Sequence, residues 1–308
     1  NLASQVGTLY PPGDPRLDRA YSIYYMGVNL GAFFAPLVCG TLGQLWGWKY
    51  GFAAAGVGMI LGIIQYSLGG RFLPKDTVHR AKEAKAEKVP LTGQQKKVIL
   101  ALIVLVFLNV IFWAVYEQQG NTIQIFADRN ADWHVFGWEM PSTWFQSINP
   151  MFIFALTPFL NIFWAWQSKK KKEPTSIMKM AIGCVLVGVS FLPLIYITRG
   201  LGDTERISFL WLVFGTLILT VGELYLSPIG QSLVSQVAPP HLVSMLMGMW
   251  FLSTAIGNLA AGQIGGHIGS DVHTMPAEFL HMTLYGVGCG LLMMLFGPLL
   301  RRWMGGIR

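Results

Sequence analysis

Charge is scarce in this chain. Only 12% of its 308 residues are Asp, Glu, Lys or Arg, while 53% are hydrophobic. Soluble domains carry about 25% charged residues, so the scarcity excludes a soluble fold, although the length could hold two soluble domains. Cysteine is scarcer: Cys39, Cys184 and Cys289 each fall inside an apolar run. That placement excludes a disulfide framework and leaves them as small packing residues. The chain has no HExxH pair, no GxGxxG fingerprint and no serine-nucleophile motif, so an enzyme is not expected. Its six histidines are scattered, with His79, His134 and His273 in expected loops. No repeat of 20 to 50 residues and no cleavable signal peptide is visible.

What the chain has instead is long runs without charge. They cover Ala20–Trp48, Tyr50–Gly70, Val98–Tyr116, Met140–Ser168, Met180–Thr198, Ile207–Pro240 (broken only by Glu223), Leu242–Ser270 and Phe279–Leu300. A spanning helix needs about 20 apolar residues, whereas a barrel strand needs only about 10 of alternating polarity. Eight transmembrane helices of an all-α integral membrane protein are therefore expected. None of the runs holds a Lys or Arg.

Eight spans put both ends of the chain on one side. Placing them in the cytoplasm leaves 18 of the 22 Lys and Arg inside and four outside: Lys49, Arg129, Arg199 and Arg206. The positive-inside rule favours that orientation. The net charge of +7 then reflects basic loops facing the anionic inner leaflet of a lipid bilayer, with no nucleic acid as partner. Lys169–Lys172 is a topology anchor in this scheme. The segment 74–97, with a short Ala/Lys/Glu-rich helix at 78–88, is expected as a solvated cytoplasmic linker. It separates the two spans of 1–73 from a six-helix bundle at 98–308. Gly27/Gly31, Gly58/Gly62 and Gly262/Gly266 are spaced for close helix packing.

Glu223 in "GELYLSPIG" lies at the centre of its run, 16 uncharged residues after Arg206. A carboxylate at the bilayer centre costs about 2.5–3.5 kcal/mol on insertion scales. It must face a wet cavity, pair with a cation or bind a proton. Desolvation favours the neutral acid and a nearby ammonium favours the anion, so such a group can couple a proton to a cationic ligand. Ser227 shares its helical face, and Pro228 can kink or unwind the helix. In "FWAVYEQQGN", Trp113 and Glu117 share a face, and the absence of charge up to Asp128 lets the helix continue past Glu117. Tyr21, Tyr25 and Asn29, and Trp250, Thr254 and Asn258, form polar stripes at the same spacing, while Asn149 precedes Pro150. Carboxylates, polar stripes and helix-breaking prolines on several helices together point to a central polar cavity.

These segments carry a family resemblance. "YSIYYMGVNLGAF" (21–33) resembles the signature of proton-dependent oligopeptide transporters, a branch of the major facilitator superfamily. "FWAVYEQQG", "STWFQSINP", "GELYLSPIG" and "LMGMWFLSTAIGN" resemble that family's seventh, eighth, tenth and eleventh helices, in the right order. The resemblance implies a major facilitator helix bundle that carries di- and tripeptides with protons by alternating access, as a monomer in the bacterial inner membrane, with the proton as coupling ion and no other cofactor or metal. It implies that Asn29 and Asn149 contact the peptide backbone or carboxylate end. Glu223 receives the peptide amino terminus beside Ser227, and Trp113 and Trp250 line side-chain pockets. Glu117 trades a proton against an arginine salt bridge.

The chain also departs from that pattern. Family members have at least 12 helices, and Asn1 aligns near the end of the fourth. The first-helix motif and the fourth-helix lysine then lie outside these residues, and the 308 residues alone are not expected to transport. The 71–97 segment has no room for the two extra helices that many bacterial members insert there. Other readings of the same residues are a major facilitator carrier of nitrate, an amino acid or a drug, and an intramembrane enzyme using Glu223 or Glu117 as general acid or base.

Overall fold

The computed structural model describes residues 16–72, 90–135, 137–202, 205–239, 242–267 and 272–306. Among them, eight helical stretches are long and apolar enough to cross a membrane. The linker helix expected at 78–88 lies outside the described residues.

The chain divides into two compact units, Asn1–Pro90 and Leu91–Arg308. In the first, α1 (Arg16–Ala35) runs through a π-helical turn, Pro36–Gly40, into α2 (Thr41–Trp46), and α3 (Trp48–Gly69) returns. The reversal turns on Gly47, whose φ of +108° is open to glycine at little cost. Gly51 of α3 lies so close to the preceding segment that a Cβ there would meet the Cys39 carbonyl oxygen at 2.5 Å.

The second unit holds α4 (Gly93–Tyr116), α5 (Thr122–Asn130), α6 (Ile148–Lys169), α7 (Ser176–Val189), α8 (Leu192–Thr198), α9 (Phe209–Val237), α10 (Val243–His267) and α11 (Met275–Trp303). Local chemistry sets several starts. Thr92 and Gln95 form a reciprocal capping box ahead of α4. Thr175 caps α7 and Ser208 caps α9 through their hydroxyls. Short strands strap the loops at one end: β1 (Ala131–Asp132) pairs in parallel with β4 (Ile207–Ser208), and β2 (His134–Val135) pairs antiparallel with β3 (Trp138–Glu139). Asp132 accepts from the His134 backbone N–H at 3.0 Å, and this bond with the nearby imidazole holds its carboxyl below the usual range.

Helix α7 is central, packing against both α9 and α11. Its backbone approaches theirs where glycine faces glycine. A Cβ on Gly183 would fall 2.7 Å from the Gly222 carbonyl oxygen, and one on Gly188 2.6 Å from the Val287 nitrogen, beside Gly286. By contrast, nothing among the described residues comes within 4 Å of a Cβ at Gly27, Gly31, Gly58, Gly62, Gly262 or Gly266. The four-residue spacing thus did not mark the contacts. Close approach needs a small residue on both helices, and spacing reports only one. All three cysteines are free; Cys184 and Cys289 meet across the α7–α11 contact with sulfurs 3.8 Å apart.

Two further expectations are corrected. Pro228 does not unwind its helix: α9 runs unbroken from Phe209 to Val237 with the proline ring on its exposed side, so the loss is confined to one backbone hydrogen bond. And one span does hold a cation. The Thr175 cap starts α7 before Lys179, which is only 7% exposed. Its ammonium lies 2.5 Å from Glu173 and 4.6 Å from the centre of the Trp164 ring. That hydrogen bond holds the Glu173 carboxyl below its usual range. Counting runs from the last charge could not see a lysine inside a helix's first turn.

Candidate functional site

Helix α4 ends at Tyr116. Glu117–Gly120 form a 3-10 turn before α5 resumes at Thr122, so the chain continues past Glu117 with a break at that residue. The break is tied to α10. Gln118 Nε2 donates to the Ala261 carbonyl at 3.2 Å and Asn121 Nδ2 to the same oxygen at 3.0 Å. The Asn121 amide fits only because residue 265 is glycine, where a Cβ would lie 1.9 Å from it. Gln118 also donates to Ala114 O at 3.0 Å, satisfying a carbonyl near the interrupted helix end.

The break presents Tyr116 and Glu117 in succession. Tyr116 donates its hydroxyl to Glu223 Oε2 at 2.8 Å. Asn149, from the first turn of α6, donates to the same oxygen at 3.0 Å and to Thr220 Oγ1 at 3.0 Å. Glu223 is 8% exposed. Both of its hydrogen bonds fall on Oε2 and come from neutral donors. Among the described residues no Lys or Arg pairs with it. Glu117 is half-buried. With the Asn258 amide turned nitrogen-first, Asn258 donates to Glu117 Oε1 at 3.0 Å and to Thr254 O at 3.1 Å. The two carboxylates are thereby joined through adjacent residues of one helix break.

Trp113 stands one turn before Glu117, its ring edge-on to Tyr116 at 5.2 Å. Its Nε1 is buried and finds no hydrogen-bond partner among the described residues, as is also true of Asn109 Oδ1 one turn earlier on α4. Its stem rests on Gly257 of α10, where a Cβ would meet Trp113 Cβ at 2.4 Å. Trp250 is 2% exposed and its ring fills the space at Gly230, 2.2 Å from where a Cβ would be. Ser227 is half-buried one turn beyond Glu223. Asn29 is 7% exposed on α1, in the first unit. The side chains of Tyr21 and Tyr25 lie outside the described residues.

Three further polar residues belong to this wall. Tyr116 is signalled in the sequence only by an aromatic hydroxyl next to a membrane carboxylate, and Thr220 by its place one turn before Glu223. Asn109 is fully buried and donates to Ser253 Oγ at 2.6 Å, linking α4 to α10.

Comparison with known proteins matches this arrangement to one family. The family model described as PTR2, POT family, matches residues 1–92 and 76–270. The chain belongs to the POT family. A peptide transporter of Yersinia enterocolitica subsp. palearctica is 30% identical over 369 positions, spanning 98% of this chain and 72% of that protein. The alignment exceeds the 308 residues here, so this POT relative carries residues inside the matched region that this chain lacks. A di-/tripeptide transporter of Lactococcus lactis subsp. cremoris is 27% identical over 100% of this chain and 73% of its own length. Among solved structures, a peptide transporter POT in complex with sulfate superimposes with a TM-score of 0.85 at 28% identity, covering 99% of this chain and 72% of that one. The fold is therefore that of a POT transporter, a major facilitator helix bundle, and the chain is a multi-pass membrane protein.

Proposed function

We propose that this POT protein carries di- and tripeptides, driven by inward proton movement. The carrying observation is Glu223: a carboxylate buried within a 29-residue spanning helix and held, among the described residues, by the neutral donors Tyr116 and Asn149. A buried anion without a cation is costly, so the site calls for a proton or a cationic ligand. The ammonium of a peptide supplies that cation at Oε1, which accepts nothing among the described residues. Tyr116 and Asn149 hold the carboxylate in place from its other oxygen. The names of the relatives support peptides as the cargo: they are a peptide transporter and a di-/tripeptide transporter.

In this reading Asn149 and Asn29 serve the peptide backbone or carboxylate end, and Ser227 lies beside the amino terminus. Trp113 and Trp250 line side-chain pockets. Glu117, at the helix break, exchanges the coupling proton, with Asn258 as its local partner. Neutralising both carboxylates removes the electrostatic barrier to reorientation, and two bundles rock about the site. Residues 1–73 belong to the N-terminal bundle, 74–97 to the cytoplasmic linker and 98–308 to the C-terminal bundle. The protein works as a monomer in the bacterial inner membrane with both ends of this chain cytoplasmic, needing no cofactor or metal besides the proton. Uptake of a labelled dipeptide into cells expressing the full-length protein, with and without a pH gradient, tests this. Accumulation that needs the gradient and is displaced by dipeptides but not by nitrate or free amino acids is expected; gradient-independent uptake or displacement by nitrate overturns it.

A further inference from the structure

A second polar cluster lies apart from the carboxylate site. Helices α10 and α11 each pack on α4, and between the last turns of α10 and the first turns of α11 they leave a crevice of about 390 Å³. Ile264 and Met282 contribute its apolar lining, and Glu278, His267, His281 and Tyr285 its polar lining. It does not belong to the Glu117 site. His267 follows Asn258 by nine residues, which is 2.5 helical turns and places it on the opposite face of α10.

The setting limits what can fill such a crevice. It lies at the ends of two spanning helices away from the Lys169–Lys172 end, the outer side in the proposed orientation. Along the same two helices toward the membrane centre, Ile256, Leu259, Leu284 and Leu291 are 44%, 67%, 58% and 57% exposed, an apolar surface for an acyl chain. The polar groups include both signs of bonding need. Glu278 is a carboxylate with 30% side-chain exposure, and His281 Nδ1 reaches it at only 3.5 Å, which leaves the carboxylate open to a stronger donor. The His267 Nδ1–H donates to the Gln263 carbonyl at 2.6 Å, which leaves Nε2 of the neutral ring as an acceptor.

We infer that this crevice is a binding site for a phospholipid with a primary-amine headgroup, its ammonium on Glu278 and the Nε2 of His267, its phosphate at the Tyr285 hydroxyl and its tail along α10 and α11. An ammonium with three N–H donors satisfies a carboxylate, as a trimethylated one does not. A headgroup bearing only negative charge is repelled by it. The site stands on the membrane-spanning fold and not on the identity of the transported solute.

The test uses the protein purified in detergent and titrated separately with phosphatidylethanolamine, phosphatidylcholine and phosphatidylglycerol of the same acyl chains, with melting temperature and lipid retained in native mass spectra as readouts. Phosphatidylethanolamine should raise the melting temperature by about 2–4 °C more than either other lipid and be retained preferentially. Glu278→Gln and, independently, His267→Ala should erase the preference while leaving the melting temperature in detergent alone unchanged. Equal shifts for the three lipids, or a preference that survives both substitutions, overturns the site. If one variant melts early in detergent, the other decides. Because the readout is lipid binding, failure here leaves peptide transport standing, and loss of peptide uptake leaves this site standing.

Discussion

Tyr116 and Glu223, 107 positions apart in sequence, meet through a 2.8 Å hydrogen bond between the last residue of a helix and the middle of another. The bond fixes where the negative charge of α9 lies relative to the α4 break, and places Glu117, the next residue, alongside the same wall. In the proposed transport reading, substrate and proton then act on neighbouring groups.

Replacing Glu223 with Ala should weaken peptides that have a free amino terminus far more than N-acetylated ones. Losing a buried charge partner costs about 2–5 kcal/mol, or roughly 30-fold and upward in affinity. Competition against labelled dipeptide uptake checks it, and equal losses for the two peptide classes would remove the ammonium from Glu223.

Glu117→Gln should abolish accumulation against a gradient while sparing counterflow exchange, because exchange needs the site but no net proton movement. Asn258→Ala should keep accumulation but change its pH dependence, since it removes the donor to Glu117 Oε1. Uptake by Glu117→Gln that still concentrates peptide contradicts the assignment.

Glu173→Gln should lower stability by roughly 1–3 kcal/mol, because it leaves the Lys179 ammonium buried without its anion. Lys179→Met in the same background should recover part of the loss. The pH dependence follows from the depressed carboxyl. The pair's contribution is complete above the ordinary carboxylate value of about 4.3 and is lost as pH falls through the lower, folded-state value. Melting curves of the single and double variants between neutral and acid pH measure it; identical curves for wild type and Glu173→Gln would mean the pair adds nothing.

Gly188→Ala should destabilise the second unit by roughly 1–3 kcal/mol through overpacking, since its Cβ would fall 2.6 Å from the Val287 nitrogen. Gly288→Ala, with nothing within 4 Å, should be neutral or slightly stabilising. Detergent melting temperatures compare the two, and a neutral Gly188→Ala would show that α7 and α11 can part at little cost.

The order of elements was written in the chain because bilayer thickness imposes a length on each apolar run, and a run is a local property. The isolation of Glu223 from Arg206, and the polar spacing around Glu117 and Asn149, were legible for the same reason: a charge in a run of 34 residues needs no neighbour to be noticed. Contacts between helices were not. Whether glycine faces glycine, as at Gly183 and Gly222, or open space, as at Gly262, depends on the partner helix. So does the fate of Trp250, which spacing placed on a polar stripe and packing placed against Gly230. Lys179 was hidden because a cap one residue before α7 decides where the helix starts. The sequence by itself determined that eight helices cross and that carboxylates lie among them. Only the tertiary structure decided which neutral donors hold those carboxylates, because a hydrogen bond between Tyr116 and Glu223 exists only once two distant helices have packed side by side.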